Sequence, residues 1–168
     1  VLVSALAAAL VVTAAAPAGA ATSPVKAPKA INGKATVKGV TVKTSKKGTA
    51  TVTAVKSKKA IVKVAATIKV KGVTYKVTAI GANAFKNCKK VKKISVGKNV
   101  KTIGKNAFKG CKKLKTITLA NKKVTIKKGA FAGLNTKKIT IKAPKMSKKA
   151  LKKFKKALKK AGFKGKVK

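Results

Sequence analysis

The sequence predicts a β-rich repeat protein: a short solenoid, preceded by β-strands and hairpins and followed by a C-terminal amphipathic helix that caps it. Three observations carry this. A phrase of about 23 residues is written twice, in Val77–Asn99 and Val100–Lys122, with 12 of 23 positions identical. Ahead of it, Val and Ile alternate with Thr and Lys, the period of half-buried strands. Behind it, apolar residues recur at helical spacing in a field of lysine.

In chain order, residues 1–20 read "VLVSALAAALVVTAAAPAGA", an uncharged apolar run that ends in Pro17 and small residues. This is the pattern of a secretory leader lacking its basic start; a membrane anchor is the alternative, since the run nears the ~20 residues a span needs. Its removal would leave no transmembrane span. Residues 21–34 hold two prolines and read as a linker. Residues 35–76 form the β-rich segment, with strands expected over 35–43, 49–56, 60–70 and 73–80. Lys71-Gly72 is a tight hairpin candidate between the last two.

The repeats occupy residues 77–145. A third, degraded copy starts at Lys123 and keeps Ile126, Ala130, Phe131 and Gly133 in place; it then reads one residue short. A fixed short period means stacked coils, each burying its apolar side against the next. The recurring letters therefore become ladders: Ile80, Ile103 and Ile126; Phe85, Phe108 and Phe131; and Ile94, Ile117 and Ile139 on a second strand. The intervening "NAFKGC" reads as one or two helical turns. Cys88 and Cys111 fall one coil apart and point inward. The strand spacing of ~4.8 Å would bring their Cα atoms within disulfide range, but parallel side chains strain the bridge, so buried thiols are expected.

These letters spell I-G-x-x-A-F-x-x-C-x-x-L-x-x-I-x-L, which resembles the BspA-like leucine-rich repeats of bacterial surface proteins. The resemblance is close over Val77–Leu119 and weaker to Ile141. It implies a leucine-rich-repeat solenoid, secretion or display at the cell surface, and adhesion or binding of matrix or host protein. The chain departs from the family pattern in having two good repeats, a third without Cys, and no acidic residues.

Residues 146–168 are read as a lysine-rich helix and tail. Ser147 can cap the helix and Gly162 can end it. Leu151, Phe154 and Leu158 lie on one face with Ala150, Ala157 and Ala161. This face is expected to cover the last coil; a basic amphipathic helix for anionic membranes is the alternative.

Composition limits the chemistry. Lys and Arg total 45 with no Asp, Glu or His, a formal charge of +45. Without His or carboxylate, ordinary acid–base catalysis and the usual calcium or magnesium sites have no ligands, and two cysteines alone cannot make a four-ligand zinc site within one chain. No catalytic residue, metal or cofactor is expected, and the protein is read as a non-enzyme. Nucleic acid would bind only non-specifically, since no Arg reads bases and no aromatic platform stacks them. Two functions stand side by side: a secreted or surface-held module that binds a protein or glycan, and a polycation that coats anionic wall polymer, lipid or extracellular nucleic acid.

Overall fold

The computed structural model describes residues 29–86 and 88–168. The apolar leader at residues 1–20 and most of the linker at 21–34 lie outside the described residues. Strands β1 (Gly33–Val37), β2 (Val40–Thr44) and β3 (Thr49–Val55) form an antiparallel meander. The alternation over 35–43 predicts a single strand. The chain instead folds back at Lys38-Gly39, where φ is 49° and 78°. Two successive positive φ values make the two-residue hairpin loop whose twist matches its flanking strands.

The apolar run 60–70 also predicts a single strand, but it divides into β4 (Ile61–Val64) and β5 (Thr67–Val70), which enter different sheets. The corner is held by the Ala66 carbonyl, which accepts from Val77 N–H at 2.9 Å and Asn99 Nδ2 at 3.0 Å. Lys71-Gly72 then turns the chain into β6 (Val73–Ile80), with φ 48° and 80°, as the dipeptide suggests. Tyr75 is 1% exposed. Its hydroxyl accepts the Ile31 N–H at 3.0 Å, which ties the chain ahead of β1 to the meander.

From β3 onward the chain coils. Strands β7 (Lys93–Val96), β8 (Thr102–Ile103), β9 (Thr116–Leu119), β10 (Thr125–Ile126) and β11 (Thr140–Lys142) extend two parallel ladders. One runs β3-β6-β8-β10 and the other β4-β7-β9-β11. In the first ladder Val52, Ile80, Ile103 and Ile126 are in register. The coil therefore begins one turn before the recognisable repeats, with Val52 and Val62 in the places of Ile80 and Ile94.

The third side of each coil is a run of tight turns rather than a helix. Lys86 N–H bonds the Asn83 carbonyl, Cys88 the Phe85 carbonyl and Val91 the Cys88 carbonyl, each three residues back. Asn83 and Asn106 sit at φ 56° and 55°, and Gly129 takes their place in the third copy at φ 78°. Asn tolerates this left-handed conformation better than most side chains, which accounts for the repeated Asn-Ala-Phe. These turns are also laced coil to coil, Phe85 N–H to the Ala107 carbonyl at 2.8 Å and Phe108 N–H to that of Ala130 at 3.1 Å.

The third repeat corrects one expectation. Repeat spacing puts Ile139 beneath Ile117, but the register pairs Ile141 with Ile117 and Thr140 with Thr116. The 3₁₀ turn at Thr136–Lys138 takes the place of the turn at Cys111, and the added length of the coil falls ahead of it, between Phe131 and Thr136. Ile139 N–H donates to the Thr136 carbonyl as Leu114 does to Cys111. Ile139 is thus a buried turn residue, and Ile141 completes the ladder.

The helix, α1 (Lys148–Lys160), starts where Ser147 Oγ accepts the Ala150 N–H at 3.3 Å. It ends in a left-handed Gly162, with Phe163 N–H on the Leu158 carbonyl and Gly162 N–H on that of Lys159, the paired bonds of a Schellman motif. Phe154 and Leu158 are buried and Leu151 is half-buried. The segment after α1 is packed into the array and is not a loose tail. Phe163 is buried and adds a fourth ring to the aromatic stack: centroids lie 5.5 Å apart for Phe85–Phe108, 5.4 Å for Phe108–Phe131 and 5.0 Å for Phe131–Phe163. Gly165 then passes so near the Ile139 and Thr136 carbonyls that a Cβ would overlap them. This lets β12 (Lys166–Val167) pair in parallel with β11. The last coil therefore keeps its strand in the second sheet and replaces its strand in the first with α1.

Both cysteines are free and buried, Cys88 Sγ–H on the Val55 carbonyl at 3.2 Å and Cys111 Sγ–H on that of Phe85 at 3.5 Å. Burial pushes the Cys88 thiol up; burial, then the neighbouring Cys88, pushes Cys111 from 9.0 to about 12. Since the thiolate is the nucleophile, neither thiol should react with a disulfide reagent at neutral pH until the protein is unfolded. Rapid labelling of the native state would contradict the burial.

Phe163→Ala should cost about 3–5 kcal/mol, the range for a buried Phe truncated in a close-packed core. It should shift the urea midpoint as far as Phe154→Ala does. An unchanged midpoint would mean that the residues after α1 do not belong to the folded array.

Candidate binding surfaces

The residues singled out from the sequence build the mould and not the surface. Ile80, Phe85, Cys88, Ile94, Ile103, Phe108, Cys111, Ile117, Phe131 and Ile139 are all buried. Ile126 is half-buried because β10 is the last strand of its sheet. Among the described residues no cluster of His, Cys, Asp or Glu could hold a metal, and no buried side-chain nitrogen or oxygen lacks a partner. The coils present no aimed polar group in the interior. What they offer a ligand is their outward positions.

The second sheet is parallel throughout, in the order β12-β11-β9-β7-β4. Its alternate residues face out in straight rows, because strand side chains have a period of two. One row runs Ile61, Lys93, Thr116, Thr140, Lys166; the next runs Lys63, Ser95, Thr118, Lys142. Hydroxyls thus fill the middle of the face, half-exposed, and lysines stand at both ends. Five strands at ~4.8 Å spacing make a face about 19 Å along the solenoid axis. Ile61, 59% exposed, sits at one corner.

Such a face has a definite chemical bias. Ser and Thr hydroxyls donate and accept, while Lys ammoniums only donate. With no carboxylate side chain in the protein, the face suits ligands rich in acceptors: carboxylate, phosphate, sulfate or sugar oxygens at regular intervals. The repeat pattern marks its lysines as outward but does not separate them from the hydroxyl rows. Thr-Ile-Thr at 116–118 and Lys-Ile-Ser at 93–95 hold the signal, since in a strand the residues flanking a buried Ile share the opposite face.

The wider field is uniform. Every lysine among the described residues is exposed. Eight of them lie on α1 between Lys148 and Lys160. Lys159 and Lys160 suit the negative end of the helix dipole, whereas Lys148 and Lys149 oppose its positive end. With no acidic side chain to pair with, each ammonium keeps its full attraction for external anions. No helix among the described residues is long and apolar enough to cross a membrane.

Comparison with known proteins agrees with this geometry. A family model described as "BspA type leucine rich repeat region (6 copies)" matches residues 74–168, more than half of the chain. A leucine-rich cell surface protein from Faecalibacterium prausnitzii has a similar structure, with TM-score 0.55 and 25% identity over 67% of this chain. The chain spans about a third of that protein, 33% of its length. A leucine-rich repeat protein from Bacteroides capillosus is 25% identical over 65% of this chain and 70% of its own, with TM-score 0.46. No curated protein sequence matches significantly. From the repeat register, the phenylalanine stack and the family match together, this chain belongs to the BspA-type leucine-rich repeat proteins.

Proposed function

We propose that the chain is a non-catalytic binding module, secreted or held at the cell surface, that engages a protein or glycan through the outward face of its second sheet and so serves in adhesion or matrix contact. The observation that carries this reading is the pair of neighbouring rows in which Thr116 and Thr140 stand between Lys93 and Lys166, and Ser95 and Thr118 between Lys63 and Lys142. Parallel ladders hold these groups at fixed spacing without any cost of ordering at the moment of binding. The family membership and the cell-surface relative support a binding role and an extracellular setting.

One observation favours a second reading. With 45 basic residues, no acids and every described lysine exposed, charge alone would hold the protein to anionic wall polymer, lipid or extracellular nucleic acid. Lysine is a hydrated point charge with no planar fork to select one anion. Such binding follows counterion release, so log K falls by ~0.9 per neutralised phosphate for each unit of log salt on a duplex-like polymer.

Salt separates the two. Binding to immobilised wall polymer, anionic vesicles, DNA and matrix protein should be measured across a salt series up to ~0.5 M, where the Debye length is only a few ångströms. The module reading expects one partner to be retained at high salt, and Thr118→Trp, at the centre of the face, to abolish that retention. Equal loss from all four with parallel slopes would leave charge as the whole function.

A further inference from the structure

The last coil joins two elements of unequal width. Neighbouring strands stand ~4.8 Å apart, whereas a helix with its side chains is ~10 Å across. The α1 helix takes the place beside β10 that a strand fills in earlier coils, so it cannot seat at strand distance. It turns Phe154 toward that junction, but Ala150 and Ala157 on either side are too small to fill the rest of the gap. A cleft of about 360 Å³ remains between α1 and the segment Lys122–Ile126. Its floor is apolar, made by Val124, Ile126 and Phe154, with Met146 at one wall. Three lysines stand round its mouth, Lys122 and Lys123 from the coil and Lys153 from the helix. No strand among the described residues pairs with this edge of β10.

We propose that this cleft takes an acidic peptide, an apolar side chain seated on Val124, Ile126 and Phe154 and flanking carboxylates on Lys122, Lys123 and Lys153. Charge complementarity selects the occupant. The chain has no Asp or Glu, so none of its own acidic side chains can neutralise the mouth, and a second copy brings more positive charge to it. A neutral apolar partner would leave three ammoniums to be partly desolvated without compensation. A peptide also supplies main-chain donors and acceptors that can meet the open edge of β10, as in strand addition. This inference deepens the binding-module reading and rests on it, but it uses a site separate from the hydroxyl face.

The test uses fluorescently labelled octapeptides on the full chain: alternating Leu and Glu, all Glu, and alternating Leu and Ser. At ~0.5 M salt, where long-range attraction is screened, the Leu/Glu peptide should remain bound while the other two are lost. Ala150→Trp, which fills the cleft, should weaken the Leu/Glu peptide by ~tenfold or more, as expected for a blocked anchor pocket, and leave low-salt binding of the all-Glu peptide unchanged. Thr118→Trp should leave both unchanged. Should Ala150→Trp fail to fold, the exposed Lys153→Glu places a like charge at the mouth and should weaken the same peptide selectively. Equal binding of Leu/Glu and all-Glu peptides at every salt concentration would overturn the proposal, as would full Leu/Glu affinity in a folded Ala150→Trp variant. A concentration-dependent dimer that Ala150→Trp dissolves would overturn it too, and assign the cleft to a second copy. Loss of surface retention in Thr118→Trp with peptide binding intact would keep the outcome for the hydroxyl face distinct from that for the cleft.

Discussion

The structure depends on one constraint: each coil can bury its apolar side only against a neighbour in register. No coil closes a core alone. Val52, Ile80, Ile103 and Ile126 share one rung position and Val62, Ile94, Ile117 and Ile141 another, so the fold is a line of contacts between successive turns. Backbone bonds on all sides of the coil then fix the axial spacing. This is why identical residues recur: any change of volume at a ladder position is met twice, once above and once below. It is also why the two ends need different solutions. At the start the antiparallel meander of β1, β2 and β3 closes the stack. At the finish α1 packs over the last coil without pairing with β10, while β12 extends the other sheet.

Much of this is legible because repetition writes the register directly into the sequence. The Ile, Phe and Cys positions of the two close copies announce their own stacking partners. Features that repetition does not mark stay hidden. Ile139 and Ile141 both look like ladder residues, and choosing between them requires knowing that the third coil is lengthened between Phe131 and the turn at Thr136. Phe163 follows Phe131 by more than one period because α1 is inserted between them, so its place in the ring stack has no periodic signature. The left-handed position shared by Asn83, Asn106 and Gly129 is disguised by a change of residue type. The cleft is a mismatch of element widths, and no local pattern records that.

The same architecture divides labour between inside and outside more cleanly than most folds. Inward positions are fixed by neighbouring coils, whereas outward ones carry no packing duty and can be set by solubility and ligand. In this chain they are filled almost entirely by Lys, Thr and Ser. The absence of acidic side chains removes the internal means of neutralisation, so the folded state works against its own field. The core must supply enough apolar burial to outweigh that repulsion, and close stacking of aliphatic rungs and phenylalanine rings is how it does so.

The exposed lysines have a further consequence for how the protein keeps to itself. Among the described residues both sheets end in open edges, at β10 and at β12, and open edges invite pairing between chains. Lys166 and Lys168 flank the second of these edges, and the rest of the surface repeats the same functional group. Colloidal stability therefore rests on one kind of chemistry, the primary amine. A reaction that acylates amines removes charge without touching the fold's interior. It would convert a self-repelling particle into a neutral one with strand edges bare, and so into a building block for fibres or precipitate.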